Sequence, residues 1–133
     1  MTELDQVFWR PGPTAIPKQE WAAIQAELVA RPAWILDGDL GPYDVIEIRL
    51  RAADTVVFLD FSLARCAWRA VRRSRENAAF WRWLLAYRRR SRPALLAAIA
   101  AHAPAARVCV LRTPRAVSRF LTDARQQTAG AGD

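Results

Sequence analysis

Short apolar runs alternate with helix-periodic segments along this chain, and the clearest runs stop on an aspartate. Ala33-Trp34-Ile35-Leu36-Asp37-Gly38 and Asp54-Thr55-Val56-Val57-Phe58-Leu59-Asp60 carry no polar alternation. That pattern predicts short strands buried on both faces of a parallel sheet. Arg107 to Leu111 is another apolar run. Leu4 to Trp9 is short and apolar, Arg10-Pro11-Gly12-Pro13 breaks it, and Asp5 likewise ends a short apolar run, so that three strands are expected to end in aspartate. Between the runs, Trp21, Ile24, Leu28 and Val29 recur at helical spacing behind Pro17, which predicts a helix from Lys18 to Ala30 closed by Pro32. Gly38 to Pro42 reads as a loop, and Val45 and Ile48 as a short helical pattern within Asp44 to Ala52. Ser62 is a candidate N-cap for a long helical segment reaching Arg90, with a break near Asn77. Ser91-Arg92-Pro93 restarts a helix that continues to His102. Thr113-Pro114 opens a last one carrying Val117, Phe120 and Leu121, before a flexible tail over 127–133. Strands alternating with helices predict an α/β fold, a parallel sheet with helices on both faces.

Composition narrows the class. A chain of 133 residues is read as one domain with a single core, and 25% charged against 53% apolar residues suits a folded protein. The net charge is +7, and nineteen of the twenty cations are arginine. Arginine suits bidentate recognition of phosphate or carboxylate, although an Arg- and Ala-rich composition also follows from a high-GC genome. Cys66 and Cys109 fall in a predicted helix and a predicted strand, where a small buried hydrophobe is expected rather than a disulfide or metal ligand. The acidic start Met1-Thr2-Glu3-Leu4-Asp5 has no signal-peptide pattern, and no apolar stretch is long enough to span a bilayer. The expected location is cytoplasmic, without a membrane partner.

Chemistry concentrates in two places. A carboxylate at the carboxyl end of a parallel strand stands where such sheets bind ligands, so Asp37-Gly38 is a candidate site for a metal or a phosphate. It is equally a turn in which aspartate caps the backbone and glycine supplies positive φ. Asp60 is expected to cap or orient the following helix. The second place runs from Arg65 to Arg92, with ten arginines and a single acid, Glu76. Arg65, Arg69, Arg72 and Arg73 share one helical face, and Arg88-Arg89-Arg90-x-Arg92 follows the aromatic patch Phe80-Trp81-x-Trp83. Such a run is a solvated face or a place where an anion joins the cations. With one histidine, no Ser/His/Asp set and no zinc spacing, hydrolase and metalloprotein chemistry are poor fits.

Several blocks in order carry a resemblance. Leu4-Asp5-Gln6-Val7-Phe8-Trp9-Arg10-Pro11-Gly12, Glu20-Trp21, Trp34 to Asp39, Ala53 to Asp60 and Tyr87-Arg88-Arg89-Arg90-Ser91-Arg92-Pro93 resemble the bacterial adenylate kinase-like P-loop proteins often labelled topology modulation proteins. The similarity spans Thr2 to about Leu121. It implies a nucleoside-monophosphate-kinase-like core, with a five-stranded parallel sheet and an arginine-rich lid over the phosphates at about 65–92. By the same resemblance Asp5 ends the second strand as an acceptor-binding or base residue, and Asp37 and Gly38 lie near magnesium and the transferred phosphate. The lid arginines fall among Arg72, Arg73, Arg75, Arg88, Arg89 and Arg92, and Arg112-Thr113-Pro114 flanks the adenine. ATP and Mg2+ are the implied cofactors, and a nucleotide or small molecule the acceptor.

The chain departs from that pattern in one respect. It contains no Gly-x-x-x-x-Gly-Lys-Ser/Thr run, and Met1 stands three residues before Leu4 where the resemblance implies roughly 25 residues of strand, phosphate loop and helix. The expectations are a misassigned start with the loop encoded upstream, a sheet lacking its central first strand, and a 133-residue chain inactive as a kinase. Two further classes stay open: a non-catalytic module binding a phosphorylated ligand or a partner, and nonspecific nucleic-acid binding through the basic segment.

Overall fold

The structure is a computed structural model and describes residues 1–12, 14–73, 81–82 and 85–130. It is mixed α/β, with short parallel strand pairs and helices. The chain divides into two compact units. One joins Met1–Asp54 to Ser91–Ala106, and the other joins Thr55–Arg90 to Arg107–Asp133.

The first unit starts with β1 (Thr2–Glu3) and α1 (Leu4–Phe8), followed by a hairpin of β2 (Trp9–Arg10) and β3 (Thr14–Ala15). Next come α2 (Lys18–Val29), β4 (Leu36–Asp37), a 3-10 turn at Gly41–Tyr43, α3 (Glu47–Ala52) and, from later in the chain, α5 (Arg92–His102). β1 and β4 pair in parallel, Thr2 opposite Leu36 and Glu3 opposite Asp37.

Leu4 to Phe8 corrects the expectation of a strand ending on Asp5. Leu4 and Phe8, four residues apart, are both fully buried, so one helical turn places both in the core. A strand would have set them on one face too, but with Gln6 between them on that same face. Asp5 falls in the first turn of α1, where its charge suits the helix N-terminus. The core of this unit is Leu4, Phe8, Ile16, Trp21, Leu28 and Leu40. Phe8 and Trp21 meet edge to face with ring centroids 5.2 Å apart, a favoured aromatic geometry. α2 supplies Trp21, Gln25 and Leu28 to this core from a single face.

The second unit is built on β5 (Thr55–Leu59) and β6 (Arg107–Leu111), parallel over five residues with Thr55 opposite Arg107 and Leu59 opposite Leu111. α4 (Leu63–Arg73) follows β5, a π-helical turn occupies Tyr87–Ser91, and α6 (Pro114–Gly130) follows β6. The caps act as their residue types dictate. Ser62 Oγ accepts from the Arg65 N–H at 3.3 Å, and Thr113 Oγ1 accepts from the Ala116 N–H at 3.1 Å, with Pro114 first in the helix. Ser91 differs from expectation. Its backbone is already helical and its side chain makes no cap bond. α6 extends through Gly130, so 127–130 are helical where a flexible tail is expected.

β5 is not buried on two faces. Val57 is 43% and Leu59 54% exposed, and Val108 and Val110 of β6 are also exposed. Apolar runs without alternation are kept in parallel sheets because both faces are covered. In this unit the pattern is present without full cover, and β5 pairs with β6 alone among the described residues. Bare apolar strands promote association. The purified chain is therefore expected to self-associate as its concentration rises, with Val57→Lys weakening association. Light scattering that finds a monomer at every concentration would contradict this.

Candidate functional site

Asp37 ends β4 and is exposed, and Gly38 follows with φ +130°, a conformation side-chain-bearing residues rarely adopt. A Cβ on Gly38 would stand 3.3 Å from Leu4 Cβ, so glycine also allows α1 to approach the loop closely. The Gly38 carbonyl accepts from Arg49 Nη2 at 3.0 Å.

That guanidinium belongs to the most fully built polar cluster of the described chain. Arg49 grips Asp44 through two parallel bonds, Nη1 to Oδ1 at 2.8 Å and Nη2 to Oδ2 at 2.7 Å. Asp44 Oδ1 also accepts from Trp21 Nε1 at 3.2 Å, Gln25 Nε2 at 3.0 Å and the Val45 N–H at 2.9 Å. Oδ2 accepts from the Leu40 N–H at 3.3 Å, and Arg49 Nη1 also donates to Gln25 Oε1 at 3.1 Å. Burial pushes the Asp44 carboxyl up, but the Arg49 hydrogen bonds and charge, with the Trp21 and Leu40 donors, hold it below its usual value of 3.8. The cluster ties α2, α3 and the loop after Asp37 together. Sequence reasoning passed over it, although Gln25 on the apolar face of α2 was a signal, since a buried amide requires partners.

Asp5 and Asp37 do not share a strand-end arrangement. The residue in register with Asp37 is Glu3, which lends a second carboxylate at the end of this strand pair. Oxygen donors of this kind fit magnesium, which protein sites commonly hold through one or two carboxylates completed by phosphate and water. Among the described residues no group of three or more His, Cys, Asp or Glu is placed to hold a metal. ATP fits less well, because the chain has no phosphate-loop sequence to cradle its β- and γ-phosphates.

In the second unit Asp60 follows β5, is buried, and accepts from Arg112 Nε at 3.3 Å. Its own N–H donates to the Leu111 carbonyl at 2.9 Å. Arg112 and Thr113 therefore already have structural tasks at this strand-to-helix turn, one on Asp60 and one capping α6 with Pro114.

The lid arginines disperse. Arg72 lies over the Trp68 ring, 5.7 Å from its centroid. Arg73 ends α4, Arg75 lies outside the described residues, and Arg88 stands in the π-helical turn. Arg92 opens α5 in the first unit. Arg89 joins Arg82, Arg90, Leu85 and Ala86 around an open cavity of about 300 Å³. Positions 82, 85, 86, 89 and 90 follow the spacing of one helical face, a signal that would have added Arg82 and Arg90 to the set. Cys66 and Cys109 are half-buried free thiols. Among the described residues no helix is long and apolar enough to cross a membrane.

Arg49→Met is expected to destabilise the fold by about 3–5 kcal/mol, because it strands a buried carboxylate. The stability that the depressed Asp44 pKa adds is complete above 3.8 and is lost as pH falls below that value toward the lower folded one. Denaturant titrations between pH 7 and pH 3 should show this loss, and Asp44→Asn should remove that part of the pH dependence. No family model, no curated protein and no solved structure matches this chain.

Proposed function

We propose that this chain binds a phosphorylated, nucleotide-type ligand through its arginine-rich segment, as the lid and acceptor side of a nucleoside-monophosphate-kinase-like phosphotransferase. The observation that carries the proposal is the cavity lined by Arg82, Arg89 and Arg90. Among the described residues three guanidinium groups line it and no carboxylate does. Like charges gathered in this way repel, and a phosphate relieves that repulsion through charge-assisted, bidentate hydrogen bonds. Leu85 and Ala86 add apolar lining suited to the uncharged part of such a ligand.

The parallel strand pairs support the kinase-like part of the reading. Open α/β sheets bind ligands beyond the carboxyl ends of their strands, and Asp37-Gly38 stands at one such end. There Asp37, with Glu3 beside it in register, would hold a magnesium ion that neutralises phosphate charge. β4 pairs with β1 alone and β5 with β6 alone among the described residues, so each keeps an edge for another strand. Phosphoryl transfer needs the amide and lysine cradle that these 133 residues do not encode. Binding is therefore the activity proposed for the chain itself, and kinase activity for a protein that also carries the cradle.

Calorimetric titration with AMP, ADP and ATP, with and without Mg2+, tests the proposal against adenosine as the phosphate-free control. Saturable binding of the phosphorylated ligands is expected, weakened at least about tenfold by Arg89→Gln with Arg90→Gln, given the strength of charged hydrogen bonds. Asp37→Asn is expected to remove the Mg2+ dependence alone. Equal affinity for adenosine, or no saturable binding at all, would overturn it.

A further inference from the structure

α4 carries a surface that the phosphate cavity does not use. Arg65, Trp68 and Arg72 recur at i, i+3 and i+7, so they share one face of the helix. Trp68 is 63% exposed, Val71 beside it is also exposed, and the Arg72 guanidinium sits over the indole ring. Arg65 and Arg72 meet no carboxylate among the described residues. On the opposite side Cys66 and Ala67 are half-buried, which turns the Arg-Trp-Arg stripe outward.

An exposed indole flanked by uncompensated arginines has two physical complements at once, a flat aromatic ring and a chain of negative charge. We infer that this face of α4 is a binding surface for single-stranded nucleic acid, with a base stacked on Trp68 and phosphates on Arg65 and Arg72. Stacking on an aromatic side chain needs a base free of its neighbours, which a single strand offers and a duplex withholds. Arg72 adds a guanidinium that holds the ring and can reach a phosphate. A membrane surface fits the face less well. A helix lying in a bilayer interface buries a continuous apolar stripe, whereas among the described residues the exposed large apolar side chains on α4 are Trp68 and Val71. The inference goes beyond the nucleotide reading and does not depend on it, since neither Trp68 nor Arg65 lines the arginine cavity.

The test uses the whole chain and a fluorescein-labelled oligothymidylate of about 15 nucleotides, a length in the range of known single-strand sites. Anisotropy is followed at several salt concentrations, beside a duplex of the same length and vesicles of phosphatidylserine and phosphatidylcholine. Trp68→Ala keeps the net charge and is expected to weaken single-strand binding about tenfold, with little change for the duplex. Trp68→Phe should retain most of the affinity. The Arg65→Gln, Arg72→Gln pair should lower the slope of log affinity against log salt by about 1.4. Circular dichroism confirms that each variant folds, and AMP affinity, a separate readout, should not change. Equal losses for single strand and duplex, or no loss in Trp68→Ala, would reduce the effect to general charge attraction and overturn the inference. Tighter binding to vesicles than to oligothymidylate, lost in Trp68→Ala, would overturn it in favour of a membrane surface.

Discussion

One buried ion pair organises the first unit. Asp44 and Arg49 are both almost fully enclosed, and taking two charges out of water is costly unless every remaining lone pair and proton finds a partner. Here they do. The carboxylate takes bonds from α2, from the loop after β4 and from its own following residue, while the guanidinium spans Asp44, Gln25 and the Gly38 carbonyl. Such a pair adds little net stability over a well-packed apolar substitute, but it specifies geometry. The backbone that follows Asp37 has one position in which the Gly38 carbonyl meets Arg49, and the positive φ of Gly38 makes that position available. The turn that follows Asp37 is therefore held by a residue twelve positions later.

The second unit is held differently. Its Asp60–Arg112 pair has one enclosed and one solvent-facing member, so water screens much of the attraction. Its strands keep exposed valine and leucine side chains, and among the described residues Arg65, Arg72, Arg82, Arg89 and Arg90 meet no carboxylate. Apolar strand surface and uncompensated charge both raise the free energy of an isolated unit, and both are relieved by partners. Strands relieve the first and anions the second.

Helices with local signals were legible in the sequence. α2 follows Pro17 and ends before Pro32, and α6 begins where Thr113 and Pro114 predict, since capping depends on residues within one turn. β5 and β6 were legible as apolar runs, and Asp37 and Asp60 were correctly placed at strand ends. What failed was non-local. Leu4 to Phe8 reads as a strand until the core is known to need both residues on one side of a helical turn. The Asp44–Arg49–Gln25 cluster joins residues up to 24 positions apart, beyond any periodicity window. The lid arginines looked like one set because they are close in sequence. A helix direction separates neighbours in the chain, so Arg72 went to Trp68, Arg89 to the cavity and Arg92 to another unit.

Arginine content alone thus separates none of the roles that arginine plays here. Arg49 is a buried fastener, Arg112 a half-screened clip, and Arg65, Arg72, Arg82, Arg89 and Arg90 meet no carboxylate among the described residues. The discriminating variable is the nearest acid. Where a carboxylate is in reach and water is not, the guanidinium is committed to the fold, because the charge cannot leave without stranding its partner. Where none is in reach, the charge is fully available to a ligand, and its neighbours decide which. Arg89 shares a concave surface with two more cations, an arrangement that favours a compact anion, whereas Arg72 shares a flat face with an exposed indole, which favours an anion carrying rings. The two arginine groups therefore have physically distinct surroundings, although the sequence places them within one basic run.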